Sequence, residues 1–449
     1  MPSRCHIAIA GCGPAGAAAA KSLVDLGFDV TVISTPRAYV ACEGVSARVM
    51  GAFKQLGFEH ALATLAAPSQ RTVEWNGERS QANWEQLVRR DQLDAALQLD
   101  LKKAGVRLLD AKVGPVNETA CGISLQYQNP HGSDKETASV LTADFFIDAR
   151  GRNAPGAAQQ RMRGPETLGL LQSWQGEPEQ ARSEIVSFDS GWIWLARFGD
   201  GSRYTQLSLA AEKIPPRQQL SDFFGSVLAQ CPAAQAYTEN ATQTHELTAR
   251  SATAMLTAEP VSSHSIRIGD AAMAVDPLSG NGIFQALSTG LIAPAIVNTL
   301  LHRSNNAELA KQFYRERVHH AFMRFARLGR DFYQQEQSWP DAAFWQPRQL
   351  WPDQVPMHEP PRPDRVLVET RPVVCDHFIE AREVVVTPDQ PLGVWHLEGV
   401  VLAPMVRRLL AEPGTPLTPA WYQSMGVFDV VRQQALTGWF TQQGMVSPG

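Results

Sequence analysis

The chain opens with a short apolar run that leads directly into a glycine-rich turn. Residues 7–10, Ile-Ala-Ile-Ala, predict a buried strand, and Gly-Cys-Gly-Pro-Ala-Gly follows at 11–16. An alanine-rich stretch then predicts a helix that runs to Leu26, with Gly27 as its stop. A second apolar run covers 28–33. This pattern predicts a strand–helix–strand unit, whose strands are parallel and whose crossover is right-handed.

The glycine spacing in this turn is typical of dinucleotide binding. In the G-x-G-x-x-G pattern, Gly11 permits a tight turn, Gly13 lets the backbone approach a pyrophosphate, and Gly16 lets the helix pack closely on the strand. Pro14 and Ala15 of the turn are candidate cofactor contacts, and the N-terminal N–H groups and partial positive charge of the helix, predicted from Ala17, suit phosphate. Strand, glycines and helix occur in the required order, so the turn predicts nucleotide binding.

The residues after the second strand leave the identity of the nucleotide open. Dinucleotide folds usually place Asp or Glu there to bind the ribose hydroxyls, whereas this chain has Ser34-Thr35-Pro36-Arg37. The Ser34 hydroxyl can hydrogen-bond a ribose, and a serine with an arginine also suits the extra phosphate of NADP. From these residues alone, FAD and NADP are both consistent with the turn.

Further strands downstream end in polar turns. Strands are predicted at 106–109, 144–148 and 265–268, and Gly269-Asp270 closes the last of them. The segment Pro277-Leu278-Ser279-Gly280-Asn281-Gly282 follows, just before an Ala- and Leu-rich helix. Another helix opens near Arg90, where the spacing to Asp94 places both side chains on one helix face.

In this order the motifs resemble the FAD-binding domain of the flavoprotein monooxygenase superfamily, over roughly residues 1–335. That group includes p-hydroxybenzoate-hydroxylase-like enzymes, flavin-dependent tryptophan halogenases and geranylgeranyl-reductase-like proteins. The resemblance implies FAD as cofactor, with Gly11, Gly13 and Gly16 at its pyrophosphate. It places Arg90 near the same phosphates or the ribityl chain, and Asp270 at the ribityl hydroxyls. Only the adenosine contact, at Ser34, departs from the family pattern.

The resemblance also assigns residues to the flavin ring. It places the segment from Pro277 through Gly280 and Asn281 to Gly282 against the ring, where a helix N-terminus stabilises the negative charge of a reduced flavin. It brings Glu43 near the ring, to orient a substrate N–H or carry a proton; a helix-capping carboxylate is the alternative. No second glycine fingerprint occurs, so electrons are expected from NAD(P)H or from a separate flavin reductase.

A segment with alternating strand-like patterns interrupts the FAD-binding motifs. The family places there a β-sheet that roofs the flavin, so we expect a discontinuous FAD-binding domain at 1–160 and 246–335. The substrate domain is expected at 65–85 and 161–245. Trp174, Trp192 and Trp194 lie in it and are candidates to stack an aromatic substrate. For each tryptophan taken singly, a place in the sheet core is the alternative.

The last quarter of the chain differs from the rest in composition and in its predicted elements. Residues 336–363 are proline-rich and predict a linker without regular helix that wraps the catalytic body. Residues 364–449 predict a small winged-helix-like α+β module. The module has no lysine and more acidic residues than arginines, which disfavours nucleic-acid binding. A peptide- or protein-docking module and a structural cap both remain open. The expected fold class is therefore α/β, a Rossmann-like FAD-binding domain with an inserted sheet and this module.

Length, charge and cysteine usage argue against a nucleic-acid-binding protein, a membrane protein and a metal site. A chain of 449 residues is expected to form two or three domains, and a net charge of -5 argues against a nucleic-acid surface. No apolar run approaches a membrane span and no signal peptide is evident, so stable membrane insertion is not expected. Six scattered cysteines without a CxxC pair favour reduced thiols in the cytoplasm and predict no metal site.

Within the resemblance, hydroxylation of an aromatic ring is favoured over two other reactions. A halogenase needs an active-site lysine, but residues 55–101 contain none, and the halogenase W-x-W-x-I-P signature is only half present at 192–194. A geranylgeranyl-type reductase would need a long apolar tunnel that no segment marks. The C-terminal module and the 276–282 segment are most similar to flavoproteins of quinone cofactor biogenesis. These include the monooxygenase that modifies a tryptophan for cysteine tryptophylquinone, and LodB-like proteins.

That similarity implies a tryptophan side chain in a peptide or protein as the substrate. Halogenation and reduction stay as alternatives within the family. A flavin-binding maturation partner that has lost catalysis is the alternative outside enzymes.

Overall fold

The computed structural model describes residues 5–119, 122–129, 138–155 and 161–446. These residues divide into two compact units. The first comprises residues up to Val297 together with Val318–Val355, and the second comprises Asn298–Arg317 together with residues from Pro356 onward. Apart from residues 298–317, which belong to the second unit, the segments expected to form the FAD-binding and substrate domains lie in one compact unit. The expected boundary between those two domains remains a prediction.

The first unit contains most of the β-structure. Its strands are β1 (His6–Ala10), β2 (Asp29–Ser34), β3 (Cys42–Val45), β4 (Ser69–Trp75), β5 (Glu78–Arg89), β6 (Arg107–Asp110), β7 (Lys112–Thr119), β8 (Gly122–Gln128), β9 (Ser139–Ala143), β10 (Phe145–Asp148), β11 (Arg161–Arg163), β12 (Thr167–Gln175), β13 (Arg182–Phe188), β14 (Gly191–Arg197), β15 (Ser202–Ala210), β16 (Thr242–Gln243), β17 (Thr248–Ser251), β18 (Met255–Thr257), β19 (Ser265–Arg267) and β20 (Met273–Ala274).

The helices up to residue 350 vary widely in length. They are α1 (Pro14–Asp25), α2 (Ala47–Leu56), α3 (Glu59–Ala63), α4 (Arg90–Lys103), α5 (Leu220–Ala229), α6 (Pro232–Thr238), α7 (Gly282–His302), α8 (Ala307–Gln334) and α9 (Trp345–Leu350).

A five-stranded parallel sheet, in the order β19-β10-β1-β2-β6, carries the predicted nucleotide turn. Its central strands are buried apolar runs: Ile9 lies opposite Val32 on one side and Ile147 on the other. Both faces of such a sheet must be covered, which explains why these strands are continuously apolar rather than alternating. The predicted strand–helix–strand unit is confirmed, and so are the three later strands, with bounds shifted by a few residues.

A nine-stranded sheet forms most of the remaining unit, in the order β16-β12-β15-β14-β13-β4-β5-β3 with β17 beside β12. Its two faces are buried differently. One packs Leu170, Ile193 and Leu207 against α5 and α6. We call the opposite face the aromatic face, because its core holds Trp75, Trp192, Trp194, Phe198, Tyr204, Tyr333, Trp339, Phe344 and Trp345.

The proline-rich segment contributes directly to the aromatic face. Contrary to the expectation of no regular helix, residues 345–350 form the short helix α9. Trp345 is completely buried and stacks on Trp339 at 5.8 Å between ring centroids. Its indole N–H donates to the carbonyl oxygens of Phe188 and Asp189, both at 3.1 Å. The first half of the predicted linker is therefore part of the core.

The second unit is an α+β assembly with its own core. Its β-strands are β21 (Leu367–Cys375), β22 (Phe378–Thr387), β23 (Gln390–Val394), β24 (His396–Leu397) and β25 (Val400–Val401), and its C-terminal helices are α10 (Ala403–Ala411), α11 (Pro419–Ser424) and α12 (Val430–Gln442). The first three strands form an antiparallel meander. The α+β content matches the expectation for this module, and here the strands all precede the three C-terminal helices. Asp376 and His377, both with positive φ, form the hairpin turn between β21 and β22.

One helix corrects the expectation about apolar segments. Among the residues described, α7 alone is long and apolar enough to cross a membrane by length and composition. Of its apolar window, 61% is buried inside the protein, as in the core helix of many globular proteins. Polar Gln, Ser, Thr and Asn residues interrupt the apolar positions of α7, so its sequence contains no uninterrupted apolar run of membrane-spanning length.

Replacing Trp345 with alanine is expected to destabilise the protein by about 3–5 kcal/mol, because a buried indole leaves a cavity and two carbonyl oxygens lose their donor. Urea unfolding followed by circular dichroism measures the change. Leu350→Ala, on the same helix but 62% exposed, is the matched control and should change the free energy of unfolding by less than about 1 kcal/mol. Equal effects of the two variants would contradict the assignment of Trp345 to the core.

Candidate functional site

The glycine turn between β1 and α1 is packed so tightly that two of its glycines leave no room for a side chain. Gly11 has a φ of +102°, and a Cβ there would lie 2.5 Å from the carbonyl oxygen of Ala149. A Cβ on Gly16 would lie 2.1 Å from the carbonyl oxygen of Gly11. Gly13 differs, because the nearest heavy atom to its Cβ position is an Arg90 guanidinium nitrogen at 3.6 Å. The turn is closed toward the sheet and open toward Arg90.

Arg90 is the centre of a charge cluster beside this opening. Its guanidinium donates to the carboxylate of Glu43 and, at 3.0 and 3.2 Å, to Asp94 one helical turn further along α4. Burial opposes the charge on Arg90, but the two carboxylates outweigh burial and raise its pKa. The predicted Arg90–Asp94 pair on one helix face is confirmed. Glu43 lies in strand β3 and pairs with Arg90, so it does not cap a helix.

Ser34 and Arg37 lie at the end of β2, next to the glycine turn. The Ser34 hydroxyl accepts a hydrogen bond from the backbone N–H of Cys12 at 3.2 Å, which joins the strand end to the turn. Arg37 donates to Asp94 at 3.0 Å and to the hydroxyl of Tyr39 at 2.6 Å. Asp94 thus bridges Arg37 and Arg90, and it supplies the acid that the sequence lacks directly after β2.

Asp270 follows β19 at the edge of the same cleft. Gly269 adopts a left-handed conformation, with φ +58°, and its Cβ would lie 2.9 Å from that of Ala15. The Asp270 carboxylate lies 3.3 Å from Nε of Arg152 and keeps 36% of its surface accessible. Burial raises its pKa, and the positive charge of Arg152 offsets part of that shift. Asp270 is therefore a partly exposed acid that a ligand in the cleft can reach.

The 276–282 loop connects this cleft to α7. Asp276 caps a short 3₁₀ turn that begins at Pro277 and ends at Gly280, whose φ is +63°. Gly282 opens α7, and a Cβ there would lie 3.9 Å from Oε2 of Glu43. Asn281 donates to the carbonyl oxygen of Ser279, which tightens the turn. The predicted ring-facing residues and Glu43 therefore converge on one place.

A buried hydrogen-bond chain joins the loop to the aromatic face. The indole N–H of Trp192 donates to the hydroxyl of Tyr333 at 3.2 Å, and that hydroxyl donates to the Asp276 carboxylate at 3.1 and 3.2 Å. Burial raises the pKa of Asp276, although the N–H of Leu278 and the Tyr333 hydroxyl both donate to the carboxylate and lower it. A cavity of about 10 Å³ borders Asp276 and Tyr333, about the space that one water needs.

The three tryptophans predicted to form a substrate pocket do not form one group. Trp192 and Trp194 lie on the aromatic face. Trp174 packs on the opposite face, where its indole N–H donates to Thr205. The reason is strand parity: across β12, β15 and β14, the register places Trp174 opposite Arg203 but Trp194 opposite Gln206. The grouping of Trp174 with the other two is therefore wrong.

The residues present fit FAD. The Cβ position of Gly13 meets only the Arg90 guanidinium, at 3.6 Å, and no side chain caps the N-terminus of α1, so donors and a positive charge face the place where a pyrophosphate would lie. Asp270 at the cleft floor suits ribityl hydroxyls. The 276–282 loop and Glu43 would meet the ring. When bound, FAD supplies the redox chemistry, and these residues bind and orient it.

Comparison with known proteins agrees with this geometry. The family described as an FAD binding domain matches residues 4–290, well over half of the chain. The chain belongs to this family. It is therefore an FAD-dependent oxidoreductase of the flavoprotein monooxygenase family, as the order of motifs implied.

Solved structures and curated relatives add detail. The chain is 44% identical to peptidyl tryptophan dihydroxylase QhpG, described as essential for tryptophylquinone cofactor biogenesis, with a TM-score of 0.85 over 98% of this chain and 100% of that one. It shares its fold with the flavin-dependent halogenase CmlS, at 17% identity and a TM-score of 0.79 over 99% and 96% of the two chains. A tryptophan 2-halogenase of Chondromyces crocatus is 23% identical over 370 residues, 74% of this chain and 69% of that protein.

Several polar residues of this region belong to no recognisable sequence motif. Arg152 contacts Asp270 and Tyr333 contacts Asp276 from segments far apart in the chain, and Asp276 stands out in the sequence only as part of the 276–282 segment. Among these residues, only Arg90 and Asp94 have a sequence spacing, four residues within one helix, that predicts their ion pair directly. Long-range pairs such as Arg152 with Asp270 require the sheet order, which local periodicity does not contain.

Gly16→Ala is expected to weaken FAD binding at least tenfold, about 1.4 kcal/mol, because the methyl group would collide with Gly11 and open the turn. Titration of apoprotein with FAD, followed by flavin fluorescence, measures the affinity. Gly51→Ala is the control: it lies inside α2 with open space at its Cβ position, so FAD affinity should not change and stability should rise by about 0.5–1 kcal/mol. Wild-type affinity in Gly16→Ala would contradict this role for the turn.

The raised pKa of Asp276 predicts how stability depends on pH. An acid whose pKa is higher in the folded state stabilises the fold below its unfolded pKa, and this contribution is lost as the pH rises through the folded pKa. The free energy of unfolding of the wild type minus that of Asp276→Asn should therefore fall as the pH rises from about 4. Urea unfolding at a series of pH values measures it, with the exposed Asp222→Asn as the control. A difference that grows over this range would contradict the direction.

Proposed function

We propose that this protein is an FAD-dependent monooxygenase that hydroxylates a tryptophan side chain within a peptide or protein, during biogenesis of a quinone cofactor. The observation that carries the proposal is the 44% identity to the peptidyl tryptophan dihydroxylase QhpG over 98% of this chain. Identity at that level over both units exceeds what a shared FAD-binding domain alone requires. The site supports the same class of reaction.

The geometry supports a division of tasks between two sets of residues. Gly13, Arg90 and Asp270 would bind the phosphates and the ribityl chain, while the 276–282 loop would orient the ring. The aromatic face would exclude water and border the place where an aromatic substrate lies, while Trp192 and Trp194, which are 2% and 8% exposed, belong to its core. The protein's own contribution is thus binding, orientation and desolvation, because the cofactor supplies the oxidative chemistry.

Halogenation is the alternative that the similarity to halogenases raises. The likeness to CmlS shows a shared fold, and the tryptophan 2-halogenase is 23% identical. Against halogenation stands the absence of any lysine between Gln55 and Leu101, the segment where the family's halogenases carry the lysine that captures the halogenating species. Within this segment, the Arg71 guanidinium lies against the 276–282 loop, 3.5 Å from the Cβ position of Gly280.

The electron donor is proposed to be NAD(P)H that docks transiently, or a separate flavin reductase. The matched family domain covers residues 4–290 and the sequence has one glycine fingerprint, which provides for one dinucleotide. Cys12, Cys42, Cys231 and Cys375 are buried free thiols, which supports the proposal of a reducing, cytoplasmic environment.

The test is oxygen incorporation under ¹⁸O₂. FAD-loaded protein is supplied with NADH, NADPH or a flavin reductase, together with either free tryptophan or the polypeptide whose tryptophan matures to tryptophylquinone. A mass gain of one or two labelled oxygens on the polypeptide is expected, located by tandem mass spectrometry at a tryptophan. Chloride and bromide are present throughout.

The outcomes separate the candidate functions. A halogen isotope pattern on the product would establish the halogenase instead. Oxygen on free tryptophan but not on the polypeptide would overturn the peptidyl substrate. Gly16→Ala, deficient in FAD, is the control for activity that does not depend on the cofactor.

A further inference from the structure

A buried charged cluster lies on the aromatic face of the nine-stranded sheet. It consists of Arg71 on β4, Glu85 on β5 and Ser183 on β13. Alternation along each strand places all three on this face, because the residue two positions further along each strand packs into the aromatic core: Val73, Leu87 and Ile185. The cluster therefore faces the same side as Trp192 and Trp194.

Glu85 is held in place by its neighbours. Its side chain is only 8% exposed, and the Ser183 hydroxyl donates to Oε1. Its carboxylate lies directly over strand β3, where a Cβ on Gly44 would be 2.0 Å from Oε2. Gly44 therefore leaves the space that the carboxylate occupies, and the acid has a fixed position from which to orient a cation.

Arg71 is that cation, and its donors are incompletely used. Its Nη1 lies 3.6 Å from Oε2 of Glu85, and its side chain is 20% exposed. Its Nε is buried and has no hydrogen-bond partner within the described part of the chain. Several other arginines of the described residues also have a buried Nε without a partner, but the Arg71 side chain is partly exposed, so an acceptor from outside the chain can reach its guanidinium.

The Arg71 side chain lies next to the loop that leads into α7. The guanidinium lies against the 276–282 loop, with Nη1 3.5 Å from the Cβ position of Gly280. Arg71 thus stands between the aromatic face and the loop predicted to meet the flavin ring.

We propose that Arg71 binds a carbonyl oxygen of the substrate's peptide backbone and so orients the target tryptophan beside the flavin. The inference rests on the proposed function, since it takes the acceptor to be an amide carbonyl of a peptidyl substrate. Glu85 and Ser183 act as positioning residues for Arg71. A flavin carbonyl has the same chemistry as an acceptor, but the aromatic face, on which Arg71 lies, is the side proposed to receive the substrate.

Two small probes isolate the carbonyl contact. N-acetyltryptophanamide carries the indole with a carbonyl on each side, and 3-methylindole carries the ring alone. Binding of each probe to oxidised, FAD-loaded full-length protein is measured by flavin difference absorbance. Arg71→Gln should raise the Kd for N-acetyltryptophanamide about tenfold or more, the value of a hydrogen bond to a charged donor, and change that for 3-methylindole by less than about twofold.

Two further variants keep the experiment interpretable. Arg71→Lys retains the charge but not the fork of donors, so it should lose less affinity than Arg71→Gln, and it serves as the test if the latter fails to fold. Arg79→Gln is the matched control: Arg79 lies on β5, pairs with Glu184 at 2.9 Å and is 59% exposed. It should bind both probes as the wild type does.

FAD affinity is measured for every variant and should not change. A loss of FAD affinity in Arg71→Gln would assign Arg71 to a flavin carbonyl and overturn the inference. Equal losses for both probes, no loss for either, or no binding of N-acetyltryptophanamide to the wild type would also overturn it. Failure of the proposed function is distinguishable, because it appears as missing ¹⁸O in the wild-type product, whatever the probes do.

Discussion

The close contact between Gly11 and Gly16 is the constraint on which the nucleotide half of the molecule depends. A Cβ on Gly16 would lie 2.1 Å from the Gly11 carbonyl oxygen, so α1 can approach β1 only where both residues lack side chains. The same helix meets two more glycines further along the chain: Cβ atoms on Gly269 and Gly290 would lie 2.9 and 2.5 Å from atoms of Ala15. These four glycines let the cleft floor, α1 and α7 lie close enough to share one ligand.

Strand β3 separates the cofactor chemistry from the substrate chemistry. Successive residues of a strand point to opposite sides, and here Glu43 pairs with Arg90 beside the glycine turn, whereas Gly44 faces the Glu85 carboxylate on the aromatic face. The adjacent residues Glu43 and Gly44 therefore border the nucleotide cleft and the aromatic face, respectively. This placement also assigns Glu43 to the charge cluster of the nucleotide cleft, and it leaves Glu85 as the acid on the side proposed for the substrate.

Local sequence patterns predicted the parts of the fold that depend on local physics. Apolar runs and the glycine spacing located β1, α1 and β2, and helical spacing identified the Arg90–Asp94 pair. The failures all involve long-range geometry. Trp174 was grouped with Trp192 because both lie in strand-like segments, but the face of each is set by the register across β12, β15 and β14. Proline content likewise concealed α9, because Pro347 lies in its first turn, where no intrahelical N–H donor is needed.

The chain from Trp192 through Tyr333 to Asp276 couples the two halves of the site. Each of the three groups comes from a different segment, and each link is a hydrogen bond of 3.1–3.2 Å in a desolvated place. Asp276 also caps the turn that leads to Gly280, which lies against Arg71. A change in the position of the loop must therefore either break buried hydrogen bonds, each costly to leave unmade, or move the aromatic face with it. The loop and the aromatic face consequently behave as one element.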